Sequence, residues 1–148
     1  IKDNKIVGIC VLPMFNNKFC LMEGWRHQLN ENVYQAPSGF VEENESPEET
    51  AIRELREETS LICRPKNLLT LGYFLPDAGL VEGSVALFLA LNCQRSNGKC
   101  DEEIGTGKIN LFTKEEFTKL INFSRNIGGS TLVASYRALD KIESLDLY

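Results

Sequence analysis

The sequence predicts an α/β or α+β fold in which helices cover a mixed β-sheet. Two observations predict it. Short runs rich in β-branched and aromatic residues, bounded by turn residues, recur from Ile6 to Phe112. Three stretches carry helical periodicity, and two of them follow the last strand-like run. At 148 residues the chain fits one compact domain, taken as residues 1–148.

Taken in order, Ile6–Val11 and Phe19–Met22 read as strands joined by a turn at Asn16–Asn17, since asparagine tolerates the positive φ of tight turns. Pro47–Thr59 reads as a helix. Leu68–Phe74 and Val85–Leu91 read as strands separated by the loop Pro76–Gly83, and Ile109–Phe112 as a further short strand. Lys114–Asn122 and Ser130–Ile142 read as the closing helices.

Composition narrows the function classes. No apolar run approaches the roughly 20 residues that span a bilayer. The segment Ile6–Met14 lacks the basic flank and cleavage site of a secretory signal. No stripe of Lys and Arg marks a nucleic-acid surface. The five cysteines include no C-x-x-C pair, and one histidine makes a structural zinc site improbable. The cysteines read as buried apolar groups in a reducing compartment, which suggests a cytoplasmic protein. The net charge is −5, yet Gly39–Leu61 alone carries eight glutamates and two arginines, a local net of −6. The remaining chain is therefore near +1.

The acidity is concentrated in the first helix. Ser46 fits the N-cap, Pro47 the first helical position and Glu49 the capping-box position. At about 100° per residue, Ala51, Ile52, Leu55 and Thr59 fall in one core-facing arc. Glu54 and Glu58 stack on the border of that arc, with Glu57 beside them towards solvent, and Arg53 stands four residues before Glu57, within pairing reach. A solvated acidic face is the plain reading. The position at the apolar border favours another, a cluster of hard oxygen ligands for Mg²⁺ or Mn²⁺. Such cations would relieve repulsion of a polyphosphate and lower the pKa of a water.

The string GFVEENESPEETAIRELREETSL, Gly39–Leu61, resembles the Nudix box, G-x5-E-x7-R-E-U-x-E-E-x-G-U, where U is a bulky aliphatic residue. Gly39, Glu45, Arg53, Glu54, Leu55, Glu57, Glu58 and Leu61 match. Ser60 replaces the late glycine, and serine adopts a left-handed helix end less readily, which predicts a different end here. The resemblance implies an α/β/α sandwich and a metal-dependent hydrolase of nucleoside diphosphates linked to some group X. It implies Glu54, Glu57 and Glu58 as metal ligands and catalytic carboxylates, Arg53 as the residue orienting a glutamate, Glu45 as a support, and Ser38–Gly39 as the place where a backbone carbonyl joins the metal shell. Glu103, or its neighbour Glu102, is implied as a further glutamate from a later loop that activates water or binds metal.

The flanking residues resemble the ADP-ribose and ADP-sugar pyrophosphatases. An aromatic–Arg pair, Trp25-Arg26, precedes Gln35-Ala36-Pro37-Ser38-Gly39; Pro76 lies 15 residues after Leu61; and Gly128–Leu132 resembles the start of that group's last helix. This implies ADP-ribose as substrate, cleaved to AMP and ribose 5-phosphate, with Trp25 stacking on adenine, Arg26 on phosphate, and Ser38, Gly39 and Pro76 lining the substrate site. Trp25, Arg26 and Pro76 also have plain surface roles, and the lone His27 reads as a surface residue. Flavin adenine dinucleotide (FAD) and diadenosine polyphosphates share the ADP group and stay open as substrates. The expected partner is a small-molecule nucleotide, with no nucleic acid and no membrane. A homodimer stays open, though the N-terminal extension that exchanges strands in many relatives is missing from this sequence. The alternatives are a nucleoside triphosphate pyrophosphatase and a sensor that binds nucleotide without hydrolysis. The three box glutamates disfavour the sensor.

Overall fold

A computed structural model describes residues 5–77, 79, 82–96 and 108–146. Strand β1 (Ile6–Phe15) turns at Asn16–Asn17 into β2 (Lys18–Arg26). Both turn asparagines have positive φ, 51° and 60°, the type I′ geometry that suits a two-residue hairpin. Then come β3 (Glu31–Gln35), β4 (Ser38–Phe40), α1 (Pro47–Thr59), β5 (Leu61–Ile62), a 3₁₀ turn (Pro65–Asn67), β6 (Leu68–Phe74), β7 (Ser84–Ala90), β8 (Gln94–Arg95), β9 (Lys108–Phe112), α2 (Lys114–Phe123) and α3 (Gly129–Ser144).

Among the described residues, seven strands form one mixed sheet with the path β3-β2-β1-β7-β6; β4 also pairs with β1, and β9 with β2. β1 and β7 run parallel at the centre, and both are buried on two faces. Their side chains alternate accordingly. Ile9 and Val11 of β1 and Ala86, Phe88 and Ala90 of β7 pack with Ala51 and Leu55 of α1. Cys10, Leu12, Met14, Leu87 and Leu89 pack on the other face with Phe117 and Ile121 of α2 and Ala134, Ala138 and Ile142 of α3. The result is the α/β/α sandwich that the resemblance implied. No helix among the described residues is long and apolar enough to cross a membrane.

One irregularity builds the site. Along one edge, β1 pairs with β2 only at Met14 and Phe15, and with β4 only from Gly8 to Cys10. Between these ends Val11 N–H donates to the Pro37 carbonyl at 2.9 Å. The chain Ala36–Pro37–Ser38 therefore passes through a split in the sheet edge. Thr131 Oγ1 near the start of α3 accepts from Ala36 N–H at 2.9 Å and fixes that passage from the far face.

Candidate active site

Helix α1 begins where its local signals place it. Ser46 Oγ accepts from Glu49 N–H at 3.1 Å, and Pro47 opens the helix. It ends otherwise than expected. Ser60 adopts the left-handed conformation, φ 60° and ψ 18°, that a glycine would take, with its N–H bonded to Arg56 O. The strain is offset by one local and one distant bond: Thr59 Oγ1 accepts from Leu61 N–H at 3.2 Å, and Ser60 O accepts from Ser96 N–H at 2.9 Å. The helix end of the Nudix box is thus preserved without its glycine.

Burial of Ala51, Leu55 and Thr59 fixes the rotation of α1, and Thr50 joins them while Ile52 is only partly buried. That rotation carries Glu54 and Glu58 to the border between sheet and solvent. Glu58 Oε2 accepts from Ser38 N–H at 3.0 Å, so helix and β4 meet at this carboxylate. Glu54 lies against Gly39 so closely that a Cβ there would fall 2.3 Å from Glu54 Oε1. Gly39 is therefore required by contact and not by backbone conformation.

Arg53 organises the remaining carboxylates. Its Nε and Nη2 bind Glu45 at 2.8 and 2.9 Å, a forked pairing that fixes the guanidinium plane. Nη1 then donates to Glu54 Oε1 at 3.0 Å and Glu57 Oε2 at 3.2 Å. Glu42 adds a longer ion pair at 3.6 Å. Sequence reading missed Thr50, whose hydroxyl donates to Glu45 Oε1 at 2.5 Å and lies near Ser46 O. Its position is unspecified in the box pattern, and only the side-chain geometry reveals it.

The electrostatics separate the glutamates. Arg53, then Thr50, holds Glu45 down at about 2, so it remains charged. Burial raises Glu54 despite Arg53. Burial also pushes Glu58 up to about 7; the Ser38 N–H opposes this, and Glu54 and Glu57 add repulsion. Among the described residues no ion pair holds Glu58. A desolvated carboxylate beside two others, without a cation of its own, suits a hard divalent cation. No three His, Cys, Asp or Glu side chains among the described residues close a metal cage by themselves. Arg53 Nη1 holds Glu54 and Glu57 instead.

The raised Glu58 value has a consequence without metal. Between the ordinary carboxylate value of 4.5 and about 7, the folded protein holds a proton that the unfolded chain lacks, so stability falls as pH rises through this window. Glu58→Gln removes that loss. In chelator, the variant should match wild type in Tm near pH 4.5 and exceed it at pH 8. A Tm difference that is the same at both pH values would contradict this environment for Glu58.

The other expected site residues lie on β2 and beyond β6. Trp25 is 48% exposed and donates from Nε1 to His27 Nδ1 at 3.2 Å. Arg26 is exposed, and its Nη2 donates to Gln35 Oε1 at 2.5 Å. Gln35 in turn lies against Gly128 at the start of α3. This chain of contacts leads from Arg26 to the strand end that precedes Ser38. Pro76 is exposed beyond β6. The row Phe74–Val85–Gly8–Phe40 places the end of β6 three strand spacings, roughly 14 Å, from β4. Glu102 and Glu103 lie outside the described residues.

Residues 4–127 match the NUDIX domain family, and the chain belongs to that family. It is a Nudix hydrolase, similar to ADP-ribose pyrophosphatases. One such enzyme, from Bacillus subtilis (strain 168), is 34% identical over 130 residues, which cover 86% of this chain and 68% of that protein. A methanol dehydrogenase activator from Bacillus methanolicus is 29% identical over 130 residues, covering 86% of this chain and 69% of the relative. The crystal structure of an ADP compounds hydrolase superposes with a TM-score of 0.81 at 13% identity, covering 95% of this chain and 75% of that one, a likeness of fold.

Proposed function

We propose that this protein is a metal-dependent pyrophosphatase of ADP-linked compounds, and that it cleaves ADP-ribose between its phosphates to give AMP and ribose 5-phosphate. The observation that carries the reaction class is Glu58, a desolvated carboxylate held by Ser38 N–H beside Glu54 and Glu57, with no ion pair among the described residues. The substrate assignment is supported by the 34% identity to an ADP-ribose pyrophosphatase and by the aromatic–Arg pair on β2.

Glu54, Glu57 and Glu58, with a carbonyl of the Ser38–Gly39 turn, would hold Mg²⁺ or Mn²⁺. When bound, the cation offsets phosphate charge and makes a water a better nucleophile at neutral pH. The chain supplies the rest. Arg53 fixes the rotamers of Glu54 and Glu57, and Glu45 with Thr50 fixes Arg53. Glu58 or Glu57, whichever keeps a free carboxylate oxygen beside the cation, would accept the proton of the attacking water. Glu103, which lies outside the described residues, stands as a further candidate from the segment before β9. Arg26 has the forked donor geometry for a diphosphate, and the half-exposed Trp25 ring offers a platform for adenine.

A hydrolysis screen with Mg²⁺ tests the substrate assignment. ADP-ribose should give the highest kcat/KM among ADP-ribose, ADP-sugars, FAD, NADH, diadenosine polyphosphates and nucleoside triphosphates, with FAD cleaved more slowly. Triphosphates preferred over every ADP compound by more than about tenfold, a difference of about 1.4 kcal/mol, would overturn it.

A further inference from the structure

Strands β5 and β8 form a short ribbon that joins the exit of α1 to the segment after β7. Its register pairs Leu61 with Arg95 and Ile62 with Gln94. One step further sets Cys63 opposite Cys93. Antiparallel rungs alternate between hydrogen-bonded and non-hydrogen-bonded pairs. Ser96 N–H donates to Ser60 O at 2.9 Å, so the Ser60–Ser96 rung is bonded, Leu61–Arg95 is not, Ile62–Gln94 is, and Cys63–Cys93 is again not. Cys93 N–H agrees with this count, because it leaves the ribbon to donate to Met14 O.

Opposed residues on a non-bonded rung have Cα atoms about 4.5 Å apart, inside the roughly 4.4–6.8 Å range that a disulfide bridges. The side chains share a face: Leu61, Cys63 and Cys93 are buried while Ile62 and Gln94 are exposed. Cys63 Sγ lies 3.6 Å from Leu91 O, two residues before Cys93, and Cys93 Sγ donates to Ala90 O at 3.4 Å. The neighbouring Cys93 holds Cys63 below the ordinary thiol value, while Cys63 and burial raise Cys93, which makes Cys63 the better nucleophile of the two. A cavity of about 490 Å³, with Met14, Phe15, Asn92, Cys93 and Arg95 in its wall, reaches the ribbon from outside.

We propose that Cys63 and Cys93 form a reversible disulfide, a redox site separate from the carboxylates of α1. The oxidant is a low-molecular-weight disulfide. The Cys63 thiolate attacks one of its sulfurs, forming a mixed disulfide and expelling one small thiol. Cys93 then loses its proton and attacks the Cys63 sulfur, closing the protein disulfide and expelling the second small thiol. Two protein thiols are oxidised, and one small disulfide is reduced to two thiols. The new bond fastens the exit of α1 to the end of β7 and closes the loop of residues 64–92, which constrains the unfolded chain.

The test uses the whole chain, incubated with oxidised glutathione, alkylated under denaturing conditions, digested and analysed by mass spectrometry. The expected result is a Cys63–Cys93 linked peptide, loss of two of the five alkylatable thiols, recovery of both with dithiothreitol, and a Tm higher by roughly 5–10 °C. Cys63→Ser should abolish the link and the Tm rise together. The proposal is overturned if all five thiols remain alkylatable, if a glutathione adduct persists on Cys63 without closure, or if Cys93 bridges to Cys20 or Cys100 instead. The peptide map of the wild-type chain decides the matter even if Cys63→Ser folds poorly.

Discussion

Glu58→Gln is expected to lower kcat by at least about 10²-fold while leaving the protein folded. Glutamine keeps the shape of the side chain and an oxygen that can accept from Ser38 N–H, now at 3.0 Å. It removes the charge that would hold a divalent cation and a base suited to take a proton. It also relieves repulsion with Glu54 and Glu57, so stability should not fall. Glu54→Gln should show a loss of similar size, because Glu54 shares the border of α1 and the grip of Arg53. The measurement is steady-state hydrolysis at saturating Mg²⁺, with circular dichroism and Tm as folding controls. Folded variants of both positions with near-normal kcat would remove these residues from the chemistry.

Gly39→Ala should have the second largest effect, through Glu54 and not through the backbone. The new methyl carbon would lie 2.3 Å from Glu54 Oε1, 2.5 Å from its Cδ and 2.8 Å from its Cγ. Side chains do not approach so closely, so the Glu54 carboxylate must swing away from its place beside Arg53. A displacement on the order of 1 Å at a catalytic group costs roughly 10- to 100-fold in rate. The moving part is one side chain, 15% exposed, and its flexible end can yield without a backbone shift, so the rate should fall far more than Tm. A double-mutant cycle separates the causes. If Gly39→Ala acts by displacing Glu54, it should reduce the rate of Glu54→Gln by less than about threefold. Full additivity would show that the methyl group acts elsewhere.

The parts of the site that were legible in the sequence are those specified by neighbours in the chain. The bounds of α1 follow from Ser46, Pro47 and Glu49, whose capping contact is local. The Arg53–Glu57 pair follows from helical spacing alone. The hairpin turn follows from two asparagines, which tolerate the φ that the turn requires.

What the sequence concealed is non-local. β4 is only Ser38–Phe40, with a glycine at its centre, and is a strand because Gly8–Cys10 of β1 pairs with it. β3, Glu31–Gln35, is mostly polar and is held between β2 and the turn before α3, where Tyr34 N–H donates to Asn126 O. β5 and β8, two residues each, define one another. The end of α1 was misread for the same reason. Propensity opposes a left-handed serine, and the bond from Ser96 N–H, far along the chain, helps hold it there. The contact of Ser38 N–H with Glu58 likewise joins residues on different elements, brought together by the split edge of β1.

The central claim is that carboxylates on α1 act through a divalent cation on an ADP-linked diphosphate. The most direct measurement is release of AMP from ADP-ribose by chelator-stripped protein, before and after Mg²⁺ is restored. The expected result is no turnover in the stripped protein, then equal amounts of AMP and ribose 5-phosphate once Mg²⁺ or Mn²⁺ is added. Full turnover by the stripped protein would contradict the account.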